Sequence, residues 1–133
     1  MATIAEIRSG LVTNLSTVFG QRVYAYWPRR IAYPAAIVRP ASGTFQAARV
    51  GNPITFEVTV ATEPLVDIAR AESQTDPYLD ESGAQSVKAA LDADRTLGGI
   101  VDTLNVSGWR DYDSIGVNGV DCLGVIIDVE VWP

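Results

Sequence analysis

The sequence predicts an α+β fold in a single domain, an antiparallel (mixed) β-sheet packed against two main helices. Three observations carry that prediction. A capped amphipathic helix opens the 133-residue chain, residues 54–60 alternate strictly between apolar and polar side chains, and Asn118-Gly119 divides two apolar runs near its end. An Asn-Gly pair supplies the positive φ that both central positions of a type I′ turn require, so the last runs are expected to form a hairpin.

Taken in order, Thr3-Ile-Ala-Glu6 is a capping box, in which the Thr hydroxyl accepts from the backbone N–H of Glu6 and the Glu carboxylate accepts from that of Thr3. Ile4, Ile7, Leu11, Leu15, Val18 and Phe19 then recur at spacings of three and four, with Gly20 placed to end the helix, which is predicted over 3–19. Residues 21–26 read as a short strand halted at Trp27-Pro28, and residues 29–34 as a connection. Residues 35–39 read as a second strand ended by Pro40. Residues 41–52 are polar and dotted with Gly, a length of loop that is usually functional or disordered. In the strand that follows, Ile54, Phe56, Val58 and Val60 are expected inward and Thr55, Glu57 and Thr59 outward.

After Glu63-Pro64 the period changes. Residues 65–72 read as one or two helical turns. Asp76-Pro77 reads as an N-cap followed by Pro at the first helical position, giving a second helix over 76–93 with Gly83 as its weak point. Residues 96–99 read as a turn, residues 100–106 as a short apolar-periodic piece, and residues 109–113 as the approach to the hairpin at 114–132. The second arm of that hairpin is expected to be the longer. Ile127, Val129 and Val131 should share one face, with Asp128, Glu130 and Trp132 on the other. So β-branched an ending predicts an inner strand.

Composition narrows the function classes. The 14.3 kDa chain is 47% hydrophobic and 20% charged, and no apolar run reaches the roughly 18 residues of a membrane-spanning helix. The opening residues show neither a basic nor an apolar leader pattern, so synthesis in the cytoplasm is expected. Cys122, the only cysteine, falls in a predicted strand and is expected to be a buried small hydrophobe. The net charge of −6 is unevenly spread: residues 1–60 carry six Arg against two Glu, a balance of +4, and residues 61–133 carry four basic against fourteen acidic groups, a balance of −10. A basic face of one copy meeting an acidic face of the next would use this asymmetry, whereas an acidic chain with a pI near 4.4 is poorly suited to gripping nucleic-acid phosphates.

The chain has no histidine, which removes Ser-His-Asp and Cys-His nucleophiles and His-ligated metals. The acid pairs Asp92 with Asp94, Asp111 with Asp113, and Asp80 with Glu81 lie in polar, Gly-flanked stretches and read as solvated turns. Gly98-Gly99 lacks the Lys and the spacing of a phosphate loop. No catalytic, cofactor-binding or metal-binding residue is therefore assigned. Tyr24, Tyr26, Trp27 and Tyr33 bracket Arg29 and Arg30. That composition occurs in single-strand nucleic-acid binders, and in an acidic chain it fits a protein interface better.

With these residues in place, the chain resembles the small tail terminator proteins of long-tailed bacteriophages, a family that includes tail-completion and head-to-tail joining proteins. The resemblance spans nearly the whole chain. It rests on the opening amphipathic helix, Tyr33-Pro-Ala-Ala-Ile-Val38, the polar segment before Ile54-Thr-Phe-Glu-Val-Thr-Val60, the acidic second helix leading to Leu91-Asp-Ala-Asp-Arg-Thr-Leu-Gly-Gly99, and the closing hairpin. It implies a non-enzymatic virion protein at the head-proximal end of the tail, forming a six-fold ring that caps the tail tube and meets the neck and connector proteins. DNA would pass through the lumen without specific binding. Arg29, Arg30, Arg39, Phe45 and Arg49 are the expected interface residues, and residues 41–52 are expected to order on assembly. A neck or head-completion connector of similar size is the alternative in the same class. A small α+β enzyme using an Asp pair and a nucleic-acid-binding module stand further off.

Overall fold

The computed structural model describes residues 2–43 and 52–133. It is an α+β fold with a five-stranded mixed sheet and three helices. Helix α1 (Ile4–Phe19) starts at the capping box, with Thr3 and Glu6 exchanging both hydrogen bonds, and Gly20 ends it at φ 63°. Its apolar stripe, Ile7, Leu11, Leu15 and Phe19, is almost completely buried. Gly10 lies between those residues because a Cβ there would come within 2.8 Å of the Leu97 Cβ, so the backbone of α1 and the turn at 94–99 approach closely. Asp94 holds that turn, accepting from Thr96 and from the N–H of Gly98 at 2.8 Å. The hydrogen bonds, that of the Thr96 hydroxyl foremost, keep its carboxyl below the ordinary carboxylate range.

Strand β1 (Val23–Tyr24) is only two residues long and runs parallel to β2 (Ala35–Ser42). Strand β2 does not stop at Pro40. Because β1 pairs only with Ala36 and Ile37, β2 is an edge at Pro40, where a missing N–H is tolerated, and the strand continues through a register shift to Ser42. Strand β3 (Ile54–Pro64) pairs antiparallel with β2 and with β5 (Val120–Trp132), and β5 pairs with β4 (Thr103–Val117), giving the order β1-β2-β3-β5-β4. The closing strand is therefore an inner one, as expected. Asn118 and Gly119 form its turn at φ 53° and 84°. The first arm, not the second, is the longer, because the sheet pairing extends back to Thr103 through the polar residues 105–113.

The expected helix over 76–93 is two helices. Helix α2 (Ile68–Leu79) begins at Asp67, whose side chain accepts from Arg70 N–H, so Asp76-Pro77 lies in its last turns instead of opening a helix. Its buried stripe is Ala71, Thr75 and Tyr78, and the Thr75 hydroxyl lies 2.8 Å from that of Thr62 on β3. Gly83, at φ 111°, belongs to the break, and Ser86 caps α3 (Val87–Asp92) by accepting from Ala89 N–H at 3.0 Å.

The main core lies between these helices and one face of the sheet. Across that face run the paired rows Val38–Val58–Ile127 and Phe56–Val129–Val106, with Phe19 of α1 stacked on Tyr78 of α2 at 5.1 Å. A second, smaller cluster forms on Ala61, Val117 and Cys122, over which residues 25–34 bring Ile31 and Tyr33. Cys122 is buried there, and that burial raises its thiol pKa. No described helix is long and apolar enough to cross a membrane.

Candidate functional site

Two exposed aromatic surfaces of opposite charge stand out. The first lies on the connection between β1 and β2. Tyr26 and Trp27 are 62% and 44% exposed, and Arg29 and Arg30 follow them into solvent. This connection is braced at three points. Arg8 of α1 donates to the carbonyls of Ala25 and Val38 and lies 4.3 Å from the centroid of the Tyr26 ring. Arg39 stands over Trp27 at 5.5 Å. The amide of Asn118, at the hairpin tip, donates to the carbonyls of Pro28 and Arg29 at 2.9 and 2.8 Å. Side-chain hydrogen bonds to the backbone of this connection thus present the two arginines, and among the described residues neither they nor Arg39 form an ion pair with a carboxylate.

Of the interface residues expected from sequence, the structure brings Arg29, Arg30 and Arg39 to this one surface. Arg39 is a strand residue of β2, as the reading of residues 35–39 expects. Phe45 and Arg49, with most of the segment 41–52, lie outside the described residues.

The second surface is built by α2 and β4, far apart in sequence. The core row Val38–Val58–Ile127 continues onto the edge strand at Trp109, which is 55% exposed. Two hollows flank its ring. One, of about 250 Å³, is lined by Tyr78, Leu79, Val106 and Ile127 together with Glu81 and Lys88; the other, of about 590 Å³, is rimmed by Glu72, Asp76 and Asp80 beside Tyr112. A register shift between Arg110 and Asp113, with Asp111 at φ 56°, turns Tyr112 toward α2. Its hydroxyl donates to Asp76 Oδ1 at 3.0 Å, and its ring meets Trp109 edge-on at 6.2 Å. Partial burial first, and the neighbouring Asp76 carboxylate second, push the Tyr112 pKa up to about 12. Residues 72–81 contain four acids and no basic residue. Sequence reading passed over this surface because neither half is informative alone. Its available signal was a Trp and a Tyr in the polar run 107–114.

The acid pairs are not brought together as acid–base couples. Asp92 pairs with Lys88 and Arg95 while Asp94 holds its turn, and Asp80 and Glu81 are exposed. Asp111 binds Arg110, whose guanidinium also reaches Asp128 and Glu57. Asp128 chiefly, then Glu57, raise its already high pKa further. Among the described residues no group of three or more Cys, Asp or Glu is placed to hold a metal ion. Comparison with protein-family models and with curated proteins finds no match to this chain.

Proposed function

We propose that the chain is a non-enzymatic virion assembly protein of the tail terminator type: it forms a ring, a hexamer on the family pattern, that caps the tail tube of a long-tailed phage. The observation that carries this reading is the presence of two solvent-exposed aromatic surfaces of opposite charge on separate parts of one small chain. Tyr, Trp and Arg at exposed, braced positions are the residues that dominate protein–protein contacts. Two such surfaces on one chain suit a subunit that meets neighbours on both sides. Their motif context, from the capping box to the closing hairpin, is that of the terminator resemblance.

On this reading the protein works by complementarity. The ring docks on the last subunits of the tube, offers a surface from which the tube protein does not extend, and gives the neck proteins a seat, while DNA passes through the lumen without being gripped. Removing the gene and imaging the tails by electron microscopy tests it. Overlong or irregular tubes, few of them joined to heads, are expected. Tails of uniform, normal length would overturn termination in favour of a neck role. Purified protein added to growing tubes should halt them in proportion to the number of tube ends.

A further inference from the structure

We infer that the Trp109 surface of one copy is the docking site for the Tyr26–Arg30 surface of a second copy, in a head-to-tail contact. This rests on the self-association in the proposed function and assigns the surfaces that make it. Three features of the molecule lead to it.

The first is charge. Glu72 and Asp80 beside Trp109, and Arg29 and Arg30 beside Trp27, are all exposed and form no ion pair with another described residue. By contrast Lys88, which lines the hollow beside Trp109, is paired with Asp92, and Arg95 and Arg110 are likewise paired with carboxylates. Exposed groups of opposite sign thus stand beside the two exposed indoles, where a partner of opposite charge would complete them.

The second is apolar surface. Trp109 extends a core row past the helical cover, and the hollow beside it is lined in part by Tyr78, Leu79, Val106 and Ile127. An aromatic side chain from the basic surface would fill it.

The third is placement. Tyr26 follows β1 at one edge of the sheet and Trp109 sits on β4 at the other, four strand spacings or about 19 Å away. Arg29 is fixed at the hairpin tip, nine residues beyond Trp109 along β4, up to about 30 Å of extended chain. The two surfaces are too far apart to pair within one chain. Used between copies, they join unlike surfaces, which generates rings when the rotation closes.

The test uses charge reversal in the full-length protein. One variant carries Arg29→Glu with Arg30→Glu, the other Glu72→Lys with Asp80→Lys. Light scattering and analytical ultracentrifugation read the mass, and thermal melting checks that each variant folds. The wild type is expected to form species larger than a dimer, dissociating as salt rises from about 0.05 to about 0.5 M, because the contact is partly electrostatic. Each variant alone should be monomeric. Mixed in equal amounts they should associate again, since one retains a native acidic surface, the other a native basic surface, and the reversed pair is complementary.

Trp109→Ala, which removes an exposed side chain, should weaken association by roughly 30-fold or more with the melting temperature unchanged. A wild type that stays monomeric at all concentrations, assembly that stops at a dimer, a variant that assembles normally alone, or a mixture that stays monomeric would each overturn the inference. Rings that survive both reversals and still cap tubes would overturn this contact and leave the terminator reading standing. Rings lost and rescued as expected, from a protein that never halts a tube, would do the opposite.

Discussion

Two neighbouring rows of the sheet differ by one residue on each strand and by nearly everything else. Val38, Val58 and Ile127 face the helices and are buried, whereas Arg39, Glu57 and Asp128 face the other way and carry charge. Strand pleating alone creates this division, since successive side chains point to opposite faces. What the two rows do with it differs. The apolar row holds the fold by excluded water and close packing. The charged row is held by Arg110, which reaches from the edge strand over Gly108, a position without a side chain opposite Asp128, to bind carboxylates on β5 and β3. Glu57 is directly opposite Arg39 yet pairs with Arg110, which leaves Arg39 to stand over Trp27. The charged face thereby couples strand pairing to the basic aromatic surface.

The largest expected effect breaks this comparison on its apolar side. Phe56 is completely buried in the main core, so Phe56→Ala should destabilise by about 3–5 kcal/mol, the cost of lost burial plus the cavity left behind. Its neighbour Glu57 faces the other side, where Arg110 retains Asp128. Glu57→Ala should therefore shift the denaturant midpoint far less. Equal losses at the two positions, read by chemical denaturation, would show that the charged row is as structural as the apolar one.

An intermediate effect comes from a buried polar contact at the margin of the core. The hydroxyls of Thr62 and Thr75 meet at 2.8 Å, and Thr75 also donates to the Ala71 carbonyl at 2.7 Å. Thr62→Val removes one partner and should cost about 1–2 kcal/mol. Adding Thr75→Val, which replaces the other hydroxyl by a methyl of similar shape, should cost less than the sum of the two single changes. A double-mutant cycle with no coupling would show that the hydroxyls do not depend on each other.

These elements also show what a sequence makes legible. Helix α1 and the Asn118-Gly119 hairpin announce themselves because their signals, a capping box, a stripe and a turn pair, are local and agree with the tertiary structure. Strand β5 is legible for the same reason, with one face buried and the other charged. Strand β4 is not, because an edge strand with a register shift has little alternation to read, and Trp109 and Tyr112 there look like loop residues. Helix α2 is read only in two pieces, the helical turns over 65–72 and a helix from 76, because its buried stripe is Ala71, Thr75 and Tyr78, only one of them large, and because Asp76-Pro77 mimics a helix start. The basic surface can be read from one contiguous segment. The acidic aromatic surface requires α2 to meet β4, which no local pattern specifies.

The smallest expected effect concerns that meeting, and pH separates it from packing. Tyr112 donates to Asp76 across the seam between β4 and α2, and its pKa is pushed from the ordinary 10.0 up to about 12. The neutral phenol is the form that the folded protein favours. The contribution is therefore fully present below pH 10, where the unfolded chain also holds the proton, and is lost as pH rises from there through about 12. Tyr78 and Tyr33 are shifted in the same direction by burial, so the wild type should lose stability above pH 10 through several groups. Tyr112→Phe keeps the ring against Trp109 and removes one of those groups. Its cost should be under about 1 kcal/mol near neutral pH, since water screens a contact this exposed. The difference in melting temperature between wild type and variant should then shrink as the pH is raised above 10. A difference that stays constant across that range would mean that the phenol contributes nothing specific at the seam and that ring packing alone joins α2 to the edge strand.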